Sequence, residues 1–226
     1  MKAALEIERG LIVNRKLVSR VMTELGIFGL PKKKAGHRNL VNIATSSDLV
    51  KRDFTVEGPN RLWLTDITEH PTREGKLYCC VVLDAYSRVV VGWSIDRHQD
   101  TDMVNDAVNM AATGRLRAPG TILHSDHGTQ FTSWAFSANI ARFDLVGSMG
   151  TIGDCYDNSP MESFWGRMQT ELLDRKYWTT IVELSVAMAD YIVNFYNIER
   201  RHSSLNYLTP FEFEALESVK NPFTLT

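Results

Sequence analysis

The sequence has few cysteines and lacks both a long apolar run and a secretory signal. Its 3 cysteines include the adjacent Cys79 and Cys80, which would point to opposite faces of a strand. Without any C-x-x-C spacing, we predict free thiols and exclude both a disulfide framework and a thiolate zinc site. No apolar stretch approaches the roughly 18 to 20 residues of a membrane span. We therefore expect a cytoplasmic protein with no membrane partner.

The chain also lacks a strong net charge, but its charges are unevenly distributed. Residues 1–61 hold 12 Lys and Arg against 6 Asp and Glu, whereas residues 62–226 hold 13 against 21. A basic N-terminal part thus precedes an acidic body. Such a basic segment suits a phosphate backbone and equally suits a solvated linker, so charge alone leaves nucleic-acid binding open.

The chain divides into three regions by composition. Residues 1–30 predict two helices, over about 2–9 and 15–25, the second capped by Asn14. This small helical N-terminal arm is either a fragment of a helix-turn-helix or simply a packed arm. Residues 31–60 have no periodicity and predict a basic linker. Residues 61–226 are expected to form the main domain.

The main domain has the pattern of an α/β fold. RLWLTDIT, KLYCCVVLDA and RVVVGWSID are rich in β-branched and aromatic residues and predict an antiparallel meander. A helix near 101–113, the strand TILHSD, a helix over about 132–142 and the strand LVGSM follow. A long helix is then predicted from Thr180 to about 198, with Leu184, Met188, Tyr191 and Phe195 on its buried face. We predict a mixed five-stranded sheet flanked by helices.

Two carboxylates occupy unusual places in this pattern. Asp66 lies inside the first strand, on the same side as Leu62 and Leu64, where helices would exclude water. An ionised carboxylate there costs several kcal/mol unless it is compensated. The alternatives are an Asp at a frayed strand end next to Thr68, or one paired with Arg61 or Arg88. Asp126 ends the strand TILHSD, where ligand sites of α/β sheets gather, although an Asp before a glycine is also a common turn residue.

A third carboxylate, Glu162, lies at a helix start in the stretch GDCYDNSPMESFW. Ser159 is a predicted N-cap, Pro160 suits the first helical position, and Glu162 completes a capping box in which its side chain reaches back to the cap. On that interpretation Glu162 needs no chemistry. If the three carboxylates converge, however, they repel one another unless metal lies between them, and oxygen-only ligation suits Mg²⁺ or Mn²⁺. A pair of such ions supports in-line attack on a phosphodiester.

Three motifs carry a resemblance to a known family. WLTDIT, HSDHGTQFTS and CYDNSPMESFW, with 35 residues between Asp126 and Glu162, resemble the DDE catalytic core of insertion-sequence transposases related to retroviral integrases, the rve superfamily. The later NFYNIERRHSSLNYLTPFEFE resembles the C-terminal signature of that family. The resemblance implies an RNase H-like fold, two Mg²⁺ ions on Asp66, Asp126 and Glu162, and DNA cleavage followed by strand transfer. It also implies that residues 1–30 are a truncated DNA-binding region.

Further residues are predicted to contact DNA or to orient the ligands. Many relatives place a Lys or Arg seven residues after the catalytic Glu, where this chain has Gln169, so we expect weaker or differently salt-dependent binding of DNA ends. His124 and His127 flank Asp126, but no preceding His completes a histidine metal cluster, so they and Asn158 are expected to support the site. The predicted DNA contacts are Arg15, Lys16, Lys32, Lys33, Lys34, Arg167, Gln169, Arg200, Arg201 and His202.

These features predict the catalytic subunit of a DNA transposase, acting as a homo-oligomer on transposon ends and target DNA. Two alternatives remain open: an RNase H-type nuclease that only hydrolyses, and a truncated, inactive protein that only binds DNA. A separate upstream transposase protein is a possible partner.

Overall fold

A mixed five-stranded sheet lies at the centre of the structure, in the order β3-β2-β1-β4-β5. The computed structural model describes residues 1–27, 47–115, 119–150 and 158–220. Strands β1, β2 and β3 form the predicted antiparallel meander, while β4 and β5 run parallel to β1. The strands are β1 Leu62–Thr72, β2 Gly75–Asp84, β3 Val90–Asp96, β4 Ile122–Ser125 and β5 Val146–Met149. The predicted fold class is confirmed.

Seven α-helices are described around this sheet and at the two ends of the chain. They are α1 Lys2–Arg9, α2 Arg15–Glu24, α3 Thr101–Gly114, α4 Trp134–Arg142, α5 Ser159–Glu171, α6 Ile181–Asp190 and α7 Pro210–Lys220. Short 3-10 helices lie at Leu173–Arg175 and Ser203–Leu205. The Asn14 side chain accepts a hydrogen bond from the Lys16 amide at 2.8 Å, which confirms the predicted cap of α2.

Both faces of the sheet are covered by apolar side chains. On one face, Leu62 and Leu64 of β1 pack with residues of α5 and α6, including Phe164 and Leu184. On the other face, Trp63 packs with residues of α3 and α4. Side chains of β1 therefore alternate between two separate apolar layers, one on each face of the sheet. Asp66 lies on the same face as Leu62 and Leu64.

The predicted long helix ending near residue 198 changes its winding part-way. After α6, the chain continues as a π-helix over Tyr191–Glu199, whose turn is wider than that of an α-helix. As a result Ile192 and Tyr196 are buried, whereas Phe195 is 37% exposed. The prediction that Phe195 belongs to the buried stripe was wrong, because it assumed α-helical spacing throughout.

The segments before β1 make specific contacts with the rest of the protein. Glu8 of α1 forms an ion pair with Arg201 at 3.2 Å. Within the predicted linker, the Leu49 amide donates to the Ser148 hydroxyl at 3.0 Å, and Val50 is buried in the core. Cys79 and Cys80 are buried free thiols, as predicted, while Cys155 lies outside the described residues. In the described part of the chain, no helix is long and apolar enough to cross a membrane.

The close approach of α3 to β3 depends on Gly92. A β-carbon at this position would lie 2.8 Å from the Ala111 amide nitrogen and would collide with the Ala107 carbonyl oxygen. We expect Gly92→Ala to lower the free energy of unfolding by about 1–3 kcal/mol, because the clash involves backbone atoms that cannot rotate away. Chemical denaturation measures this change. Gly114→Ala is the matched control, because a β-carbon there meets nothing within 4 Å; equal losses in both variants would contradict the packing argument.

Candidate active site

Asp66 lies in the interior of β1, which continues to Thr72, so it is not at a frayed strand end. Its Oδ1 accepts a hydrogen bond from the Ile67 amide at 2.8 Å, and its Oδ2 accepts one from Trp165 Nε1 at 3.0 Å. No lysine or arginine in the described ranges pairs with this carboxylate. The alternative in which an arginine neutralises Asp66 is therefore not what the structure shows.

Strand pairing brings Asp126 to the level of Asp66. β1 and β4 are parallel, and Leu64 is paired with His124, so each Asp lies two residues beyond a paired position. Asp126 is exposed at the end of β4, and its Oδ1 accepts a hydrogen bond from the Gly128 amide at 2.9 Å. The carboxylate thus shapes the turn that follows the strand while its second oxygen remains available on the surface.

Glu162 lies in the first turn of α5, but the predicted capping box is wrong. The N-cap is Asn158, and the Glu162 amide donates to the Asn158 carbonyl at 3.1 Å. Ser159 is therefore the first helical residue and Pro160 the second, which moves Glu162 one position further into the helix. Its exposed carboxylate has no hydrogen bond or ion pair with other described residues, so the predicted contact with its own cap does not form.

The three carboxylates share one electrostatic environment. Burial and, after it, the negative charges of Asp126 and, less strongly, Glu162 together raise the pKa of Asp66 to about 7. The hydrogen bonds from Ile67 and Trp165 act in the opposite direction. An acid with a pKa this far above its usual value is a carboxylate whose charge is poorly compensated. The site thus concentrates negative charge, and no cation among the described residues offsets it.

This arrangement fits a divalent cation bound by oxygen atoms. Among the residues that the structure describes, no three His, Cys, Asp or Glu side chains already enclose a position for a metal ion. Asp66, Asp126 and Glu162 nevertheless supply only carboxylate oxygens, and two of the three side chains are exposed. Hard oxygen donors with uncompensated charge and open positions suit Mg²⁺ or Mn²⁺.

The predicted supporting residues lie around this site in different ways. His124 is buried, and its Nδ1 lies 3.0 Å from the Ser148 hydroxyl, so its ring contacts the neighbouring strand β5. His127 is half-buried directly after Asp126. Asn158 donates from Nδ2 to the Thr65 carbonyl of β1 at 3.3 Å, which connects the start of α5 to the strand that carries Asp66.

Several of the predicted DNA contacts are engaged within the protein. Arg200 makes bonds of 2.8 and 3.0 Å to the Glu171 carboxylate, which also accepts from the Tyr191 hydroxyl at 2.7 Å. Arg201 pairs with Glu8 and with Glu212, each at 3.2 Å. His202 is buried against Tyr196, and burial with three nearby arginines lowers its pKa to about 3. These contacts give all three residues structural roles.

The remaining predicted DNA contacts differ in how accessible they are. Gln169 donates from Nε2 to Asp174 at 2.7 Å, and Arg167 donates from Nε to the Ser163 hydroxyl at 3.3 Å. Arg15 and Lys16 are exposed on α2. Lys32, Lys33 and Lys34 lie outside the described residues.

The sequence matches two models of an integrase core domain, over residues 56–155 and 146–210. It is 34% identical over 211 residues to the transposase for insertion sequence element IS904 of Lactococcus lactis, covering 92% of this chain and 83% of the relative. It is also 36% identical to the putative IS986/IS6110 transposase of Mycobacterium tuberculosis, covering 91% and 77%. The chain belongs to the insertion-sequence transposases. The DDE transposase assignment of the rve superfamily, and with it polynucleotidyl transferase activity, is confirmed at the level of the family.

Solved structures of retroviral integrases show the same fold as this transposase. The catalytic core domain of HTLV-2 integrase in complex with magnesium superposes with a TM-score of 0.55 at 17% identity, covering 70% of this chain and 98% of that one. A simian T-cell lymphotropic virus intasome gives a TM-score of 0.56 at 17% identity, covering 95% and 74%. The RNase H-like architecture predicted for the transposase is confirmed.

One residue of the transposase site, Trp165, was not predicted. Trp165 is partly buried beside Met161 and Phe164, and its indole N–H donates to Asp66. The only sequence signal is its spacing, because a residue three positions after Glu162 shares a helix face with it.

The raised pKa of Asp66 predicts how the stability of the metal-free transposase varies with pH. The folded state keeps a proton on Asp66 up to about pH 7, whereas the unfolded state loses it near its usual pKa of 3.8. The stability that this proton contributes is fully present below the unfolded-state pKa of 3.8 and is lost as pH rises to about 7. Relative to that of Asp66→Asn, the free energy of unfolding of the wild type should therefore fall by a few kcal/mol between about pH 4 and 7. Above about pH 7 the difference between the two proteins should stay constant. Chemical denaturation in a chelator measures both proteins, and a difference independent of pH would contradict the assignment.

Proposed function

We propose that Asp66, Asp126 and Glu162 together hold two Mg²⁺ ions, for which Mn²⁺ can substitute, and that this site performs 3′-end cleavage and strand transfer of insertion-sequence DNA. The observation that carries the proposal is the poorly compensated charge of Asp66 beside two further carboxylates. When bound, the ions would activate the attacking oxygen and stabilise the leaving oxygen of the phosphodiester. The proposal rests on these three residues and on the membership of the family.

The contribution of the protein to this reaction is to hold the three carboxylates in position. Asp66 is fixed by two N–H donors, one on each oxygen, so each oxygen keeps a lone pair for a ligand. Asp126 and Glu162 are exposed and can meet a ligand that arrives from solvent with the DNA. A fixed carboxylate beside two accessible ones would bind ions and orient a phosphodiester for in-line attack.

The choice of nucleophile separates the proposed activity from the alternative of a nuclease. Attack by water exposes a 3′ end, and attack by that 3′-hydroxyl on a second phosphodiester joins two DNA molecules. Both steps need the same three carboxylates. The transposase relatives favour the joining step as the second half of the reaction for this chain.

The proposed substrates are transposon ends and target DNA, bound by more than one copy of the chain. One of the structurally similar proteins is an integrase in an intasome. Arg15 and Lys16 on α2 are the exposed cations that we propose for DNA phosphate, together with Lys32, Lys33 and Lys34. Arg200, Arg201 and His202 are proposed only as residues that hold the C-terminal turn, since their side chains are already engaged.

The triad is tested with labelled transposon-end DNA, target DNA and Mg²⁺ or Mn²⁺. Asp66→Asn, Asp126→Asn and Glu162→Gln should each reduce cleavage and joining to background, because each removes a charged ligand. Glu69→Gln is the matched control: it lies on the same strand, is exposed and pairs with Lys76 at 2.9 Å. It should retain both activities.

DNA ends that are already cleaved distinguish strand transfer from hydrolysis. An end with a 3′-hydroxyl should be joined to target DNA, whereas an otherwise identical 3′-deoxy end should not. Hydrolysis of uncut ends without any joining would favour the nuclease. DNA binding without metal-dependent chemistry would show an inactive protein.

Because Gln169 is neutral, DNA binding should depend less on salt concentration than it would with a lysine at this position. Gln169→Lys adds a cation where the native side chain is hydrogen-bonded to Asp174. Because Asp174 would partly neutralise that lysine, we expect the full effect only in the Gln169→Lys, Asp174→Asn double variant. There, the slope of log affinity against log salt should steepen by about 1. Fluorescence anisotropy with transposon-end DNA measures the slope, with Asp174→Asn as the control; an unchanged slope would remove Gln169 from the DNA interface.

A further inference from the structure

The first turns of α5 are attached to β1 at two points on either side of Glu162. At the N-cap, Asn158 Nδ2 donates to the Thr65 carbonyl at 3.3 Å. One turn beyond Glu162, Trp165 Nε1 donates to Asp66 Oδ2 at 3.0 Å. The acceptors, Thr65 and Asp66, are consecutive residues of β1. The helix that carries one proposed metal ligand is thus bonded directly to the residue that provides another.

We propose that Trp165 is a positioning residue: its indole N–H holds the Asp66 carboxylate and, together with the Asn158 amide, fixes α5 and therefore Glu162 against β1. This inference rests on the proposed function, because it assigns Trp165 a role toward the metal ligands. Trp165 itself touches neither the ions nor the DNA in this role. It acts through Asp66 and through the placement of its own helix.

The packing of Trp165 makes its indole a rigid donor. Its ring lies edge-on to Phe164 at a centroid distance of 4.8 Å, and Phe164 packs edge-on against Tyr196 of the π-helix at the same distance. A side chain held in this way loses little further freedom when it forms a hydrogen bond. The aromatic contacts therefore fix the position of the N–H, and the N–H fixes the carboxylate.

The direction of the bond also leaves room for metal ions. Each carboxylate oxygen has two lone pairs, and Asp66 uses one lone pair on Oδ1 for Ile67 and one on Oδ2 for Trp165. One lone pair on each oxygen remains, so ligand binding does not require the Trp165 bond to break. Removing the indole N–H would free the carboxylate to rotate, and loss of such an outer partner lowers metal affinity by about 10- to 100-fold in other proteins.

The key variant is Trp165→Phe, which keeps an aromatic ring and removes the donor. Trp178→Phe is the matched control, because Trp178 packs in the same apolar layer and donates from Nε1 to the Leu173 carbonyl at 3.0 Å. Both variants lose one indole hydrogen bond within the same apolar layer. Only the first loses a bond to Asp66.

The contact is first tested in the metal-free protein by the indole signals in a ¹H–¹⁵N NMR spectrum. The chain has 5 tryptophans, and the signal that disappears in Trp165→Phe belongs to Trp165. Removing the acceptor with Asp66→Ala should shift this signal more than the other four. A Trp165 signal that does not move in Asp66→Ala would overturn the proposal.

The second test is Mg²⁺ binding measured by calorimetry. Trp165→Phe should weaken Mg²⁺ binding by about 10-fold or more, and Trp178→Phe should leave it unchanged. Excess Mg²⁺ should restore cleavage in Trp165→Phe. Equal losses in the two tryptophan variants, or no loss in Trp165→Phe, would overturn the role of Trp165.

The same titrations separate this inference from the proposed function. Asp66→Asn should abolish Mg²⁺ binding if Asp66 is a ligand. If Asp66→Asn binds Mg²⁺ and cleaves DNA like the wild type, the proposed function itself fails. If Asp66→Asn loses both while Trp165→Phe keeps both, only the positioning role is lost.

Discussion

The structure depends on one unfavourable placement, a carboxylate in the interior of a strand that has apolar layers on both sides. Leu62 and Leu64 share the face of Asp66, and helices cover it. Burying a charge there costs several kcal/mol unless it is compensated. The protein supplies two N–H donors but, in its described part, no cation. Two extensive apolar clusters provide the stability that makes this cost tolerable.

The remaining parts of the fold bring two further carboxylates to that point and fix them there. The parallel register of β1 and β4 sets Asp126 level with Asp66. At its start, α5 is bonded to β1 through Asn158 and Trp165. At its far end, Glu171 binds Arg200 at the end of the π-helix, so α5 is held at both ends. A helix fixed in this way can present Glu162 at a reproducible position although Glu162 itself has no partner there.

Sequence patterns predicted the elements well where one physical rule acted alone. Alternation and β-branched residues located the three antiparallel strands, and the acidic motifs contain three carboxylates that act on one another electrostatically in the structure. The rules failed where two solutions compete locally. Asn158 and Ser159 both suit an N-cap, and the contact of Asn158 with Thr65 across 93 residues decides between them. A long-range hydrogen bond likewise determines the partner of Trp165. The prediction for Phe195 failed because it assumed a constant α-helical period, whereas the π-helix turns this residue away from the core.

A pKa raised by desolvation does not by itself distinguish a reactive carboxylate from a structural one, as Asp84 shows. Asp84 is fully buried at the end of β2, and burial raises its pKa as it does that of Asp66. Asp84, however, accepts hydrogen bonds from the amides of Asn60, Tyr86 and Ser87, and a nearby cation, Arg115, opposes the effect of Glu214 on its pKa. Its charge is compensated by the fold, and it closes a turn. Near Asp66 both neighbouring charges are carboxylates and no described cation opposes them, so the fold leaves a negative charge that a ligand can neutralise. This difference in neighbours distinguishes Asp66 from Asp84 and supports the proposal that Asp66 is a metal ligand.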